Sequence, residues 1–166
     1  QSVAAAITVT GPDSYNATIA NTTTLKGLKP GSYTLAAANA VAGSHIYAAT
    51  PATRTITIAA GSTPASTSFT YALASGGIAL NVSGLPANVP AGIVVTGPGG
   101  YSRTVNGSTV IVSLTPGVYS ASAQIVQSGS AYWAPNPQTQ NITVPASTSA
   151  TSATVNFVTA STHSSR

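Results

Sequence analysis

The chain of 166 residues is 43% hydrophobic yet only 4% charged, with a single acid, Asp13, and a formal net charge of +4. Its apolar content excludes a charge-rich disordered chain, and one acid excludes paired-carboxylate glycoside chemistry. Five bases without a dense cluster exclude a phosphate-binding face.

The absence of cysteine removes disulfides and thiolate metal sites, and no apolar run approaches the ~20 residues of a membrane-spanning helix. No signal peptide is present, and a start at Gln1 without Met fits either a processed secreted chain or a trimmed one.

In chain order, the first expected strand covers Ile7–Thr10, where Ile7 and Val9 alternate with Thr8 and Thr10 in the period of a half-buried strand. Gly11-Pro12-Asp13-Ser14 ends it as a turn. Pro30-Gly31 is read as a tight turn, because proline presets φ and glycine accepts positive φ at the next position. It leads into a strand with Tyr33, Leu35 and Ala37 on one face. Ile56 and Ile58 then alternate with Thr55 and Thr57, and Phe69, Tyr71 and Leu73 with Thr70 and Ala72. Beyond Ser75-Gly76-Gly77 lies a further strand with Ile78, Leu80 and Val82 on its inward side. The inward set passes from odd to even positions there, so the chain does not continue as one regular strand.

From this point the pattern repeats at an offset of 86: Ile93–Tyr101 reproduces Ile7–Tyr15, and Ser113–Tyr119 reproduces Gly27–Tyr33. Pro51 falls on Pro137, Ile56–Ile58 on Ile142–Val144, Tyr47 on Trp133 and Tyr71 on Phe157. A period this long means that each copy is a domain with its own core. No amphipathic stretch with helix caps occurs, and short strands between turns spaced about 8–12 residues apart argue for β-sandwiches. The expected fold is all-β, with two tandem β-sandwich domains over 1–75 and 76–160 and a polar tail over 161–166.

The copies differ at their starts. The counterpart of Ile78–Pro86 would lie before Gln1, and Gln1–Ala6 is too short and too weakly apolar to replace it. Domain 1 is therefore expected to lack its first strand. Either it presents an edge that a partner's strand fills, as in strand-addition assemblies, or the sequence starts downstream of that strand or the fold closes without it. The expected edge residues are Ile7, Val9, Phe69 and Tyr71, and the candidate donors are Gln1–Ala6 of a neighbour or the tail after Phe157.

Little points to catalysis or metal binding. His45 and His163 are far apart with no ligand spacing around them, and a Ser-His-Asp triad would have to recruit Asp13 from a turn that the second copy writes as Gly99. Gly97-Pro98-Gly99-Gly100 is a hairpin turn and not a nucleotide cradle. No catalytic residue, metal site or cofactor is assigned. Glycosylation sequons stand at Asn16, Asn21, Asn81, Asn106 and Asn141, which serve either as glycan acceptors or as turn residues; Asn81, within a strand, fits least. Tyr33, Tyr71, Tyr119 and Phe157 fall on inward positions. Tyr47, Tyr132 and Trp133, before Pro-rich loops, either stack against sugar rings or cap a sandwich end.

The stretch Ile78–Pro86 with "NVSGLP", "VTGPGGY" at 95–101, "SLTPGVYS" at 113–120 and "PNPQTQNITV" at 135–144 resembles the tandem Ig-like or prealbumin-like modules of bacterial cell-envelope proteins. These modules are close to the PEGA-type and carboxypeptidase-regulatory-like repeats, in which "L-x-P-G-x-Y" (here Leu28–Tyr33 and Leu114–Tyr119) enters a strand. The resemblance implies a non-enzymatic spacer, stalk, adhesin segment or fibre subunit. The function expected is an extracellular structural protein of the cell surface, a subunit of a filament, stalk or envelope layer that joins its neighbours by β-strand addition. The alternative is a glycan- or envelope-partner-binding module. The expected partners are other copies, envelope proteins or glycans, with no nucleic acid and no membrane span.

Overall fold

The computed structural model describes residues 4–61 and 63–160. The chain is all-β and forms two compact units whose boundary falls between Ala74 and Ser75. Each unit, called module 1 and module 2 below, stacks two antiparallel-rich sheets face to face.

Module 1 contains β1 (Ala6–Gly11), β2 (Tyr15–Ile19), β3 (Gly31–Ala38), β4 (Ala40–Ala42), β5 (His45–Thr50), β6 (Thr53–Ile58) and β7 (Thr70–Leu73). Its first sheet runs in the order β2-β1-β3-β6 and its second in the order β4-β5-β7. Module 2 contains β8 (Gly76–Ser83), β9 (Ile93–Gly97), β10 (Tyr101–Val105), β11 (Thr109–Leu114), β12 (Gly117–Ser122), β13 (Val126–Ser128), β14 (Ala131–Asn136), β15 (Thr139–Val144) and β16 (Thr151–Ala160). Its first sheet, β10-β9-β12-β15, repeats the first sheet of module 1 strand for strand. Its second, β11-β8-β16-β14-β13, has two strands with no counterpart in module 1.

The shared sheet is built around one steric lock. In each copy a glycine ends the first strand beneath a tyrosine ring: a Cβ on Gly11 would lie 2.3 Å from the Tyr33 ring, and one on Gly97 2.2 Å from the Tyr119 ring. The next residue, Pro12 or Pro98, lies over Gly31 or Gly117, leaving only 2.6 Å between its Cγ and a Cβ built there. The tyrosine hydroxyl then donates back across the Pro-Gly pair, Tyr33 to the Lys29 carbonyl at 3.0 Å and Tyr119 to that of Thr115 at 2.9 Å. A second tyrosine stands edge-on against the first in both copies, Tyr15 at 5.6 Å and Tyr101 at 5.5 Å between ring centres. Burial, followed by the neighbouring Tyr101, raises the Tyr119 hydroxyl above its ordinary pKa of 10.0.

At the Pro-Gly pairs the glycines take the positive φ expected, 148° at Gly31 and 157° at Gly117, but the prolines sit at bends that lead straight into strands and not in hairpin turns. Gly31 and Gly117 are the first residues of β3 and β12, and their lack of a side chain is required by the proline ring above them. The hairpin turns stand where the sequence places them, at Pro12–Ser14 and Pro98–Gly100. Positive φ is taken there by Asp13 (55°) and Ser14 (61°) in one copy and by Gly99 and Gly100 in the other.

Module 2 has a continuous buried core drawn from both sheets, in which Ile78, Ile93 and Ala123 are wholly inaccessible. The core of module 1 reduces to Val9, Tyr33 and Leu35.

Candidate strand-accepting site

Superposing the copies through the offset of 86 shows why the two cores differ. In module 2, β16 has two halves. Asn156–Ala160 pairs antiparallel with β14, and Thr151–Asn156 pairs in parallel with β8, which in turn pairs with β11. In module 1 the pairing of β7 with β5 keeps the same register, Thr50 to Thr70 where module 2 has Asn136 to Asn156. The segment before β7, residues 64–69, corresponds to 150–155 but lies in no ladder, because no strand of β8 type is present among the described residues.

The consequence is an incompletely covered apolar face. Ile7, Ile19, Leu25, Leu28, Ile56, Ile58 and Phe69 all pack on the small module 1 core, but all are only partly buried. Their counterparts Ile93, Val105, Ile111, Leu114, Ile142, Val144 and Val155 are buried. The sequence places the same kind of residue on the same face in both modules. What differs is the cover that Ile78, Leu80 and Val82 supply to module 2.

The two segments that border this face correspond in position to β11 and to the first half of β16, and neither lies in a ladder. Residues 23–28 correspond to β11 at the offset of 86, and Gly27 has φ +71° where Ser113, at the bulge of β11, has φ +58°. On the other side Arg54, the counterpart of Gln140, donates from Nη1 to Thr67 Oγ1 at 3.4 Å, whereas Gln140 Nε2 donates at 2.9 Å to the Thr154 carbonyl, one position further along.

The expected edge is thus partly relocated. Ile7 and Val9 are not edge residues: β1 lies between β2 and β3, paired on both sides, so they form the floor of the groove. Phe69 and Tyr71 lie along the segment that leads through β7 at the end of the three-stranded sheet, with the Tyr71 hydroxyl donating to the Ala38 carbonyl at 3.2 Å. Tyr71 is only half-buried, unlike its counterpart Phe157. The groove residues missed by sequence reasoning are Ile19, Leu25, Leu28, Ile56 and Ile58, which are recognisable only through their buried partners in the other copy.

The described parts of both candidate donor segments are taken up within their own module. Ala6 belongs to β1, and the Ala5 amide donates to the Ala20 carbonyl at 3.1 Å. Beyond Phe157 the chain stays in β16 to Ala160, paired with β14. Residues 1–3 and 161–166 lie outside the described residues; Ser161–Arg166 has no apolar side chain to offer an inward face.

Other candidate sites do not assemble. Tyr132 and Trp133 are adjacent on β14 and so project to opposite faces; Trp133 packs on the module 2 core, Tyr132 is exposed, and Tyr47 is half-buried on β5. Tyr132 and Trp133 therefore do not share one stacking face. Asn16, Asn81 and Asn141 lie on strands and Asn21 and Asn106 in loops, all exposed, with Asn81 Nδ2 donating to Ser152 Oγ at 3.3 Å. Asp13 forms an ion pair with Lys29 on the open surface. Among the described residues no group of three His, Cys, Asp or Glu side chains comes together, and no helix is long and apolar enough to cross a membrane. His163 lies outside the described residues.

No protein-family model and no curated protein matches the sequence. Among solved structures the chain is similar to GBS52, a minor pilin of the Gram-positive pathogen Streptococcus agalactiae, with 13% identity, 99% of this chain and 87% of that one covered, and a TM-score of 0.38.

Proposed function

We propose that the protein is a structural element of the cell surface, a tandem β-sandwich subunit that is joined into a larger assembly by β-strand addition at module 1. The observation that carries this reading is the incomplete burial of seven aliphatic and aromatic positions in module 1 whose equivalents in module 2 are buried beneath β8. An apolar groove bordered by an unpaired backbone segment is the arrangement in which strand addition gains both main-chain hydrogen bonds and side-chain burial. The near-absence of charge, the Ser/Thr-rich surface and the resemblance of the "L-x-P-G-x-Y" module to envelope repeats support a location outside the cell. Light scattering across a concentration series, with electron microscopy of native surface material, tests the reading. Assemblies that dissolve when Phe69→Asp blocks the groove are expected. A particle that is monomeric at every concentration and absent from surface structures contradicts it.

A further inference from the structure

The occupied groove of module 2 is a template for what the empty one takes. Resting on the strand-addition reading above, we propose that module 1 accepts an uncharged extended strand of the form Gly-Gly-aliphatic-x-aliphatic-x-aliphatic-x-Gly, supplied from outside residues 4–160, which lies parallel to residues 65–70.

The pattern follows from contacts in module 2. Ile78 and Leu80 are buried at 0% and 1% exposure and Val82 is half-buried, so the inward positions of the strand take branched aliphatic side chains. The strand must begin with two glycines. A Cβ on Gly76 would lie 2.1 Å from the Pro145 carbonyl oxygen and 2.7 Å from Val144 Cγ1, and one on Gly77 2.8 Å from the Ile111 carbonyl oxygen. In module 1 the corresponding walls are Ala59, Ile58 and Leu25. The strand must also leave through glycine: Gly84 has φ +88°, and a Cβ there would meet the Phe157 carbonyl oxygen at 1.9 Å, the place held by Tyr71 in module 1.

Polarity follows from the same copy. Ile78 to Ser83 runs parallel to Thr151–Asn156 and antiparallel to β11. The incoming strand is therefore parallel to 65–70 and antiparallel to 23–28, where the bulge at Gly27 already has the left-handed conformation of Ser113. A second copy of residues 4–160 is not the donor. Its one segment of this pattern is its own β8, and withdrawing that strand would open one groove to fill another.

The probe is a synthetic peptide of residues 76–84, GGIALNVSG, added to the full chain, with two controls: one carrying asparagine at the positions of Ile78, Leu80 and Val82, the other valine at both leading glycines. A chimera in which residues 76–90 are placed directly ahead of Ala5 fills the groove covalently with the spacing found in module 2. The expected result is saturable one-to-one binding of the first peptide only, with amide protection gained at 64–69. The chimera binds no peptide, and its module 1 melts at least ~10 °C higher, since three more aliphatic side chains are buried. Equal binding of all three peptides, protection gained only in module 2, or a chimera with unchanged melting overturns the proposal. Self-association at high concentration without peptide binding also overturns it while leaving the assembly reading intact; peptide binding by a chain that never assembles does the reverse.

Discussion

Gly11 and Gly97 leave room for a tyrosine ring, and Pro12 and Pro98 close over the next glycine of the lock. Adding a methyl group here forces ring or backbone to move. Gly97→Ala is expected to lower the stability of module 2 by about 1–3 kcal/mol in denaturant titration, as overpacking does elsewhere. Tyr119→Phe removes the hydrogen bond to Thr115 and should lose about 1 kcal/mol. It should also change the alkaline limb. A phenol whose folded-state pKa is raised lends stability that is full below the unfolded value, near 10, and lost as pH rises through the folded value. The native chain therefore loses module 2 stability above about pH 10, and Tyr119→Phe flattens that loss, which titrated melting curves read directly. In the hairpin turn, Ser14 holds φ 61° where the second copy has Gly100. Ser14→Gly should raise module 1 stability by about 0.5–1 kcal/mol, because a side chain in the left-handed region is strained.

At the scale of the element, β8 decides how much each core residue is worth. Ile93→Ala empties a site with no access to water and should cost about 2–5 kcal/mol, whereas Ile7→Ala, at the same place in a half-covered sheet, should cost about 1 kcal/mol. Paired denaturant curves give the difference. The shared strands were legible in the sequence because Ile7/Val9, Tyr33/Leu35 and Ile56/Ile58 alternate at period 2 and recur 86 residues later. The strand at Ile78–Val82 was legible for the same reason. Its parallel pairing with β16 was not, since alternation fixes which side chains face inward but not which strand lies alongside. The edge at Ile7 and Val9 was misplaced on that account: a strand can be first in sequence and central in its sheet. The lock at Pro-Gly was read only as a turn because local propensity does not report a proline packed from 19 residues away.

For the whole molecule, one sequence pattern yields two sandwiches of unequal completeness. Module 2 carries its covering strand within itself, and module 1 has no such strand among the described residues over the same, partly buried apolar face. Strand addition at module 1 would then act as the joint of a larger assembly, with main-chain pairing supplying strength and the glycine-bounded aliphatic pattern supplying selectivity. Amide hydrogen exchange on the full chain tests this most directly, comparing residues 64–69 with residues 150–155 in the same sample. The account predicts that 64–69 exchanges at close to the rate of an unstructured segment while 150–155 is strongly protected. Equal, strong protection of both segments in the isolated chain would contradict it.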